Sequence, residues 1–326
     1  MVILMKFVNF DIKNRIFLAP MAGITDLSVR TVARDWGASF CYSEMISAKG
    51  LYFKDKKTKE LLLTNDYDSP LAVQIFGNDP YIMSEGVKVI ADMGFKMIDI
   101  NAGCPAPKIV NNNEGSALMK NPKLLGEIVE ACVKASDLPV SVKIRTGFTS
   151  STINAVECAK IIEDAGAKAI AVHGKTREQF YSGDADYSVI RNVKENVKIP
   201  VIGNGEVHTP KDCEKLFKES LCDFVLIGRG MLGNPFIFSQ INDYFEKGSY
   251  IKDYGINTKM DTLIKQTELT VKYKGEHRAI LEARKHIAWY LKGVKNSKTF
   301  RLMANTVNSI EDVYNLVKKV KETYTL

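Results

Sequence analysis

The chain has 326 residues, 45% hydrophobic and 25% charged, with no apolar run near the roughly 18–20 residues of a bilayer span; this excludes a disordered chain and a membrane-spanning helix. Six scattered cysteines without a C-x-x-C pair, and four histidines without metal spacing, exclude a zinc ribbon and a disulfide scaffold; they predict a reducing, cytoplasmic setting and no metal. The net charge of +7 is uneven: residues 241–326 hold 16 Lys/Arg against 10 Asp/Glu, and the rest 29 against 28, which fits either a tail that meets a polyanion or a solvated lysine-rich face.

The N-terminal stretch Met1–Phe10 is apolar but lacks the basic start and small-residue cleavage site of a secretory signal. Short β-branched runs then recur every 25–40 residues: Ile16–Leu18, Phe40–Tyr42, Leu71–Phe76 and Met97–Ile100, then Val140–Ile144, Ala169–Val172, Val201–Ile202 and Phe224–Ile227. Helical patterns separate them, among them Leu27–Trp36, Pro122–Ala135 and Ser151–Ala165. Asp-Leu-Pro at 137–139 and Lys-Ile-Pro at 198–200 end helices just before strands, because the residue preceding proline avoids helical geometry. Eight such units predict an α/β protein, a (β/α)8 TIM barrel over residues 1–240. Beyond Gly233-Asn234-Pro235 the alternation stops, and Ile237–Glu246, Met260–Lys274, Ile280–Leu291 and Ile310–Thr323 predict an all-helical C-terminal domain over 241–326.

Barrel enzymes place their chemistry at the C-terminal strand ends. Here those ends carry Pro20, Met21 and Ala22; Glu44; Gln74; Asn101 and Cys104; Lys143 and Arg145; His173 and Arg177; Asn204, Gly205 and Glu206; Gly228 and Arg229. Random surface loops would scatter such groups over both ends. Gly203–Glu206 and Gly228–Gly230 follow strands seven and eight, where exposed backbone N–H groups bind phosphate, so a phosphate-bearing cofactor is expected. A flavin suits the remaining groups: Gln74 offers donor and acceptor to its pyrimidine edge, and Lys143 a charge to its N1–C2 region. Five of the cysteines read as small buried hydrophobes. Cys104 differs by standing in a rim Gly-Cys-Pro loop beside Asn101; a thiol of ordinary pKa, about 8.5, stays protonated at neutral pH and can donate a proton.

These residues fall in segments that resemble the bacterial tRNA-dihydrouridine synthase family: Leu18-Ala-Pro-Met-Ala-Gly-Ile-Thr-Asp26, Ala72-Val-Gln-Ile-Phe76, Asn101-Ala-Gly-Cys-Pro105, Gly115-Ser-Ala-Leu118 and Val142-Lys-Ile-Arg145. His173-Gly-Lys-Thr-Arg177, Gly203-Asn-Gly-Glu206, Gly228-Arg-Gly230, Arg284-Lys-His286 and Trp289-Tyr-Leu-Lys-Gly293 continue the likeness. The resemblance implies an FMN flavoprotein, an oxidoreductase that uses NADPH or NADH to reduce specific uridines of tRNA, with no membrane and no protein partner. It implies cofactor contacts at Pro20, Met21, Ala22, Gln74, Asn101, Lys143, His173, Asn204, Gly205, Glu206, Gly228 and Arg229. Cys104 is its implied proton donor, and Asn101, Lys108, Arg145, Arg177, Arg284 and Lys285 its implied substrate contacts. The sequence departs from the family pattern at Ala106-Pro107-Lys108, where Ala-Lys-Lys is usual, at Asn111–Glu114, and at Lys175, where arginine is commoner. Two rival readings are an FMN barrel acting on a free metabolite and a non-catalytic RNA-binding barrel. The basic tail argues against the first, and the intact Cys104 and Lys143 against the second.

Overall fold

The computed structural model describes residues 4–324. By contacts the chain divides into two compact units: residues up to Asp26 with Ser39–Gly228, and Leu27–Ala38 with the residues from Arg229 onward.

The first unit opens on an antiparallel pair, β1 (Met5–Phe7) and β2 (Phe10–Ile12). Eight strands follow: β3 (Ile16–Leu18), β4 (Phe40–Ser47), β5 (Leu71–Phe76), β6 (Ile98–Ala102), β7 (Val140–Arg145), β8 (Ala169–His173), β9 (Val201–Asn204) and β10 (Phe224–Ile227). Each pairs in parallel with the next, and β10 returns to β3 through Val225 opposite Ile16, which closes the barrel. All eight expected strands are present. Prolines 139 and 200 stand immediately before β7 and β9, and their carbonyls accept from Ile98 and Ile170 of the neighbouring strands at 3.0 Å. Three of the helices between strands start on side-chain caps of this kind: Asp79 before Pro80, Asn121 before Pro122, and a capping box of Thr209 and Asp212.

Side chains alternate between the barrel interior and its outer face. The interior cluster contains Phe17, Phe40, Tyr42, Ala72, Met97, Ala169, Ala171, Ile202, Phe224 and Leu226. The first hairpin belongs to that cluster: the Phe7 ring lies 4.9–5.1 Å from those of Phe17, Phe40 and Phe224 and closes one end. The apolar N-terminal run is therefore part of the core from Phe7 onward.

The second unit contains the helices Leu27–Asp35, Ile237–Lys247, Gly255–Lys274, Glu276–Tyr290, Ser297–Ala304 and Ile310–Glu322. Its core gathers Met260, Leu263, Ile280, Ile287, Val313 and Leu316 from helical spacings of three and four. Trp36 packs edge-on against Phe236 at 4.4 Å and Tyr254 at 5.0 Å, and Asp35 pairs with Lys265 at 2.8 Å. No helix among the described residues is long and apolar enough to cross a membrane.

Candidate active site

The interior register of the strands continues into the C-terminal rim. Phe17, Phe40, Ala72, Met97, Ala169, Ile202 and Phe224 point inward; counting by twos reaches Gln74, Asp99 and Asn101, His173, Asn204 and Gly228. Across the ladder, Gln74 stands opposite Asp99 and Asn101 opposite Lys143. Arg145, His173, Asn204 and Leu226 run opposite one another from β7 to β10. Of the rim candidates named from sequence, Gln74, Asn101, Lys143, His173, Asn204 and Gly228 thus share the inward-facing register.

Within it Gln74 is 1% exposed and bonded on both sides of its amide: Nε2 donates to Asp99 Oδ2 at 2.7 Å, and Oε1 accepts from Asn101 Nδ2 at 2.8 Å. Asn101 Oδ1 in turn accepts from the backbone N–H groups of Gly103 (3.1 Å) and Cys104 (2.9 Å). The Cys104 carbonyl accepts from the N–H and hydroxyl of Ser116 at 3.0 and 2.9 Å. That approach needs Gly115, whose φ is +60° and where a Cβ would lie 2.9 Å from the Cys104 oxygen. Cys104 is therefore clamped from both sides of its loop. It is half-buried while the other five cysteines are buried, and burial pushes its thiol above the ordinary value, so it carries its proton at neutral pH.

The ammonium of Lys143 has no hydrogen-bond or ion-pair partner among the described residues. Burial, and next the charge of Arg145, lower its pKa to about 8, which leaves it mostly protonated at pH 7 and available to an electron-rich ligand. Arg145 is 1% exposed and is engaged elsewhere: Nε donates to the Gly103 carbonyl at 2.8 Å, and one terminal nitrogen to the carbonyls of Thr176 (2.7 Å) and Phe180 (2.9 Å). It joins the cysteine loop to the loop after β8.

Around the ring, Pro20 and Met21 are half-buried and Ala22 exposed; the Met21 N–H donates to Thr25 Oγ1 at 3.0 Å, and the Gly23 N–H to the Glu44 carboxylate. His173 is buried, and Asn204 donates to the Leu226 carbonyl at 2.7 Å. Gly205, at φ +141°, leaves no room for a side chain, since a Cβ would lie 2.8 Å from that of Ala185. The Glu206 carboxylate lies 2.6 Å from the ammonium of the fully buried Lys175. Lys108 is exposed in the short helix Pro107–Val110, and Arg177 sits over the Phe148 ring at 5.3 Å. Arg229, Arg284 and Lys285 belong to the second unit; there Arg284 donates to the Val307 carbonyl at 2.9 Å and to Asn308 at 3.1 Å. No group of three or more metal-ligating side chains occurs among the described residues.

Two residues beneath the ring, Asp99 and Ser141, are absent from the candidates named from sequence. Asp99 is completely buried and accepts from Ser141 Oγ at 2.6 Å as well as from Gln74. Burial lifts its carboxyl to about 6, against the hydrogen bonds from Ser141 and Gln74 and the charge of Lys143. A carboxyl whose folded pKa is raised contributes stability that is complete below its unfolded pKa and is lost as pH rises through the folded one. The pKa rise from 3.8 to about 6 corresponds to roughly 3 kcal/mol lost between pH 4 and 7. Asp99→Asn is expected to remove this component; denaturant midpoints measured from pH 4 to 7 should fall less steeply for the variant than for the native protein, and parallel curves would contradict it.

Residues 17–325 match the family model described as dihydrouridine synthase (Dus). The chain belongs to the dihydrouridine synthase family. It is 39% identical over 323 residues to a probable tRNA-dihydrouridine synthase of Rickettsia bellii, covering 99% of this chain and 98% of that one. It is 36% identical over 325 residues to tRNA-dihydrouridine synthase B of Pasteurella multocida, covering 98% of both. As a family member it is an enzyme, an oxidoreductase. Among solved structures, histamine dehydrogenase from a Rhizobium species aligns with a TM-score of 0.57 at 12% identity, over 82% of this chain and 50% of the other; that likeness shows the barrel fold.

Proposed function

We propose that this dihydrouridine synthase reduces the C5=C6 bond of specific uridines in tRNA, with residues 1–240 as the catalytic domain and 241–326 as the RNA-binding one. The observation that carries the reading is the juxtaposition of a protonated, half-buried thiol at Cys104 with the unpaired Lys143 in one ring of inward polar groups.

The residues present fit FMN. Gly228 leaves a space in which a Cβ would be 3.7 Å from Ala19 Cβ and Met21 Sδ, an apolar wall suited to a ring face. Gln74 retains one N–H and one lone pair after its two internal bonds, and Lys143 supplies a charge. His173, Asn204, Gly205, Glu206 and Gly228 are the phosphate-end candidates, Glu206 by its backbone because its carboxylate holds Lys175. FMN held there would, once reduced by NADPH or NADH, supply the hydride needed at C6 of the uracil. Cys104 gives its thiol proton to C5, so that one hydride and one proton complete the dihydrouracil, and the thiolate is reprotonated from solvent. Asn101 orients the base, which must leave the RNA stack for its C5–C6 bond to be reached. Lys108, Arg177, Lys285 and the other cations of the basic tail hold phosphates.

The purified protein is expected to carry a flavin spectrum that NADPH bleaches without air. Unmodified tRNA should restore the oxidised spectrum, whereas free uridine should not. Equal reoxidation by free uridine or a small enone would favour the metabolite-reducing reading instead.

A further inference from the structure

A continuous run of hydrogen bonds leads from the barrel interior to the catalytic loop. Ser141 Oγ donates to Asp99 at 2.6 Å, Gln74 to Asp99 at 2.7 Å and Asn101 to Gln74 at 2.8 Å; the N–H groups of Gly103 and Cys104 donate to Asn101 at 3.1 and 2.9 Å. An amide side chain can be turned over at little cost when its neighbours accept either sense. Here they do not. A carboxylate only accepts, and a backbone N–H only donates. The carboxylate at one end requires Gln74 to point its NH2 toward Asp99 and its carbonyl toward Asn101. Asn101 must then give its NH2 to Gln74 and its carbonyl to the loop, which is what the two backbone N–H groups at the other end require.

We propose that Asp99 is a positioning residue whose carboxylate sets the donor and acceptor sense of Gln74 and Asn101, and through them fixes the backbone that carries Cys104. Two consequences reach the reaction, both resting on the reading that a uracil is reduced beside Cys104. First, the thiol is held by a loop whose N–H groups have one acceptor, presented in one sense. Second, both lone pairs of Asn101 Oδ1 are occupied, so Asn101 can only donate to a ligand. Its second N–H meets the Met45 sulfur at 3.8 Å, a weak acceptor that a carbonyl oxygen of the base would readily replace. The same logic leaves Gln74 with a fixed pair of remaining valences.

The test uses the flavin-loaded enzyme and two readouts: kcat/KM on unmodified tRNA, and the rate at which iodoacetamide alkylates Cys104 without RNA. Alkylation reports this residue because the other five cysteines are buried. Asp99→Ala removes the polarising end; kcat/KM should fall about a hundredfold, the cost of losing one buried hydrogen-bond partner, and alkylation should change at least about threefold. Values within about twofold of wild type in both readouts would overturn the proposal.

A double-mutant cycle with isosteric Asp99→Asn gives the answer should the alanine variant not fold. The amide introduced by Asp99→Asn can still accept from Gln74, but only while Ser141 receives its NH2. Ser141→Ala should therefore cost about threefold in the native background and about thirtyfold in the Asp99→Asn background. An additive cycle would reduce Asp99 to a packing role. A wild-type enzyme that forms no dihydrouridine removes the substrate reading, while the alkylation rates of the same variants still decide the role of Asp99.

Discussion

Cys104→Ala is expected to lower dihydrouridine formation on tRNA by about a hundred- to ten-thousand-fold, the range of a lost general acid. The flavin should stay bound and still be bleached by NADPH, because the thiol takes part in neither step. The size of the effect follows from the absence of a substitute. Cys41, Cys132, Cys158 and Cys213 are 0% exposed and Cys222 2%, so no other thiol is placed to replace it. Cys104→Ser should fall between the two, since a hydroxyl is a far weaker acid at the same place. Rapid-mixing measurement of product per turnover checks both; a Cys104→Ala enzyme with undiminished product formation would remove the residue from its role.

Glu206→Ala should destabilise the fold by about 3 kcal/mol. Lys175 is 0% exposed and its ammonium has two partners, Glu206 at 2.6 Å and the Tyr181 carbonyl at 3.2 Å. Removing the carboxylate leaves a buried cation with a single carbonyl. Lys175→Met should cost less, about 1 kcal/mol, because Glu206 is 30% exposed and lies 3.7 Å from the His208 ring. Thermal unfolding distinguishes the two, with Tm lowered by about 8 °C for the first and 3 °C for the second. Equal losses would mean that Glu206 does not offset the burial of Lys175.

The barrel was legible because each strand is a short apolar run bounded by caps and X-Pro pairs, and Pro122–Ala135 is the helix that the pattern predicts. Ends were less legible. The runs at Met97–Ile100 and Val201–Ile202 stop before Asn101 and Gly203, yet β6 continues through Ala102 and β9 through Asn204, since the ladder follows backbone pairing rather than side-chain polarity. The expected helix from Ser151 starts at Ala155, because Gly147 and Ile153 first form an isolated bridge. The helix Ser297–Ala304 escapes the pattern: it follows a turn and is too short for periodicity to mark.

At the site, residue types at strand ends located the ring, but not what each side chain touches. Arg145 reads as a cation for RNA in sequence and is folded onto three carbonyls. Asp99 is easily passed over inside Ile98-Asp99-Ile100, although a lone carboxylate two residues before Asn101 shares its inward face; period-two counting backward from the rim finds it and Ser141 alike.

Uridine reduction is tested most directly by digesting unmodified tRNA to nucleosides after incubation with the purified enzyme and NADPH, and weighing the products by mass spectrometry. Reduction of one C5=C6 bond adds two hydrogens, so the expected product is a uridine two mass units heavier, formed by the wild type and nearly absent with Cys104→Ala. Unchanged nucleosides from a flavin-loaded, NADPH-reducible wild type would contradict it.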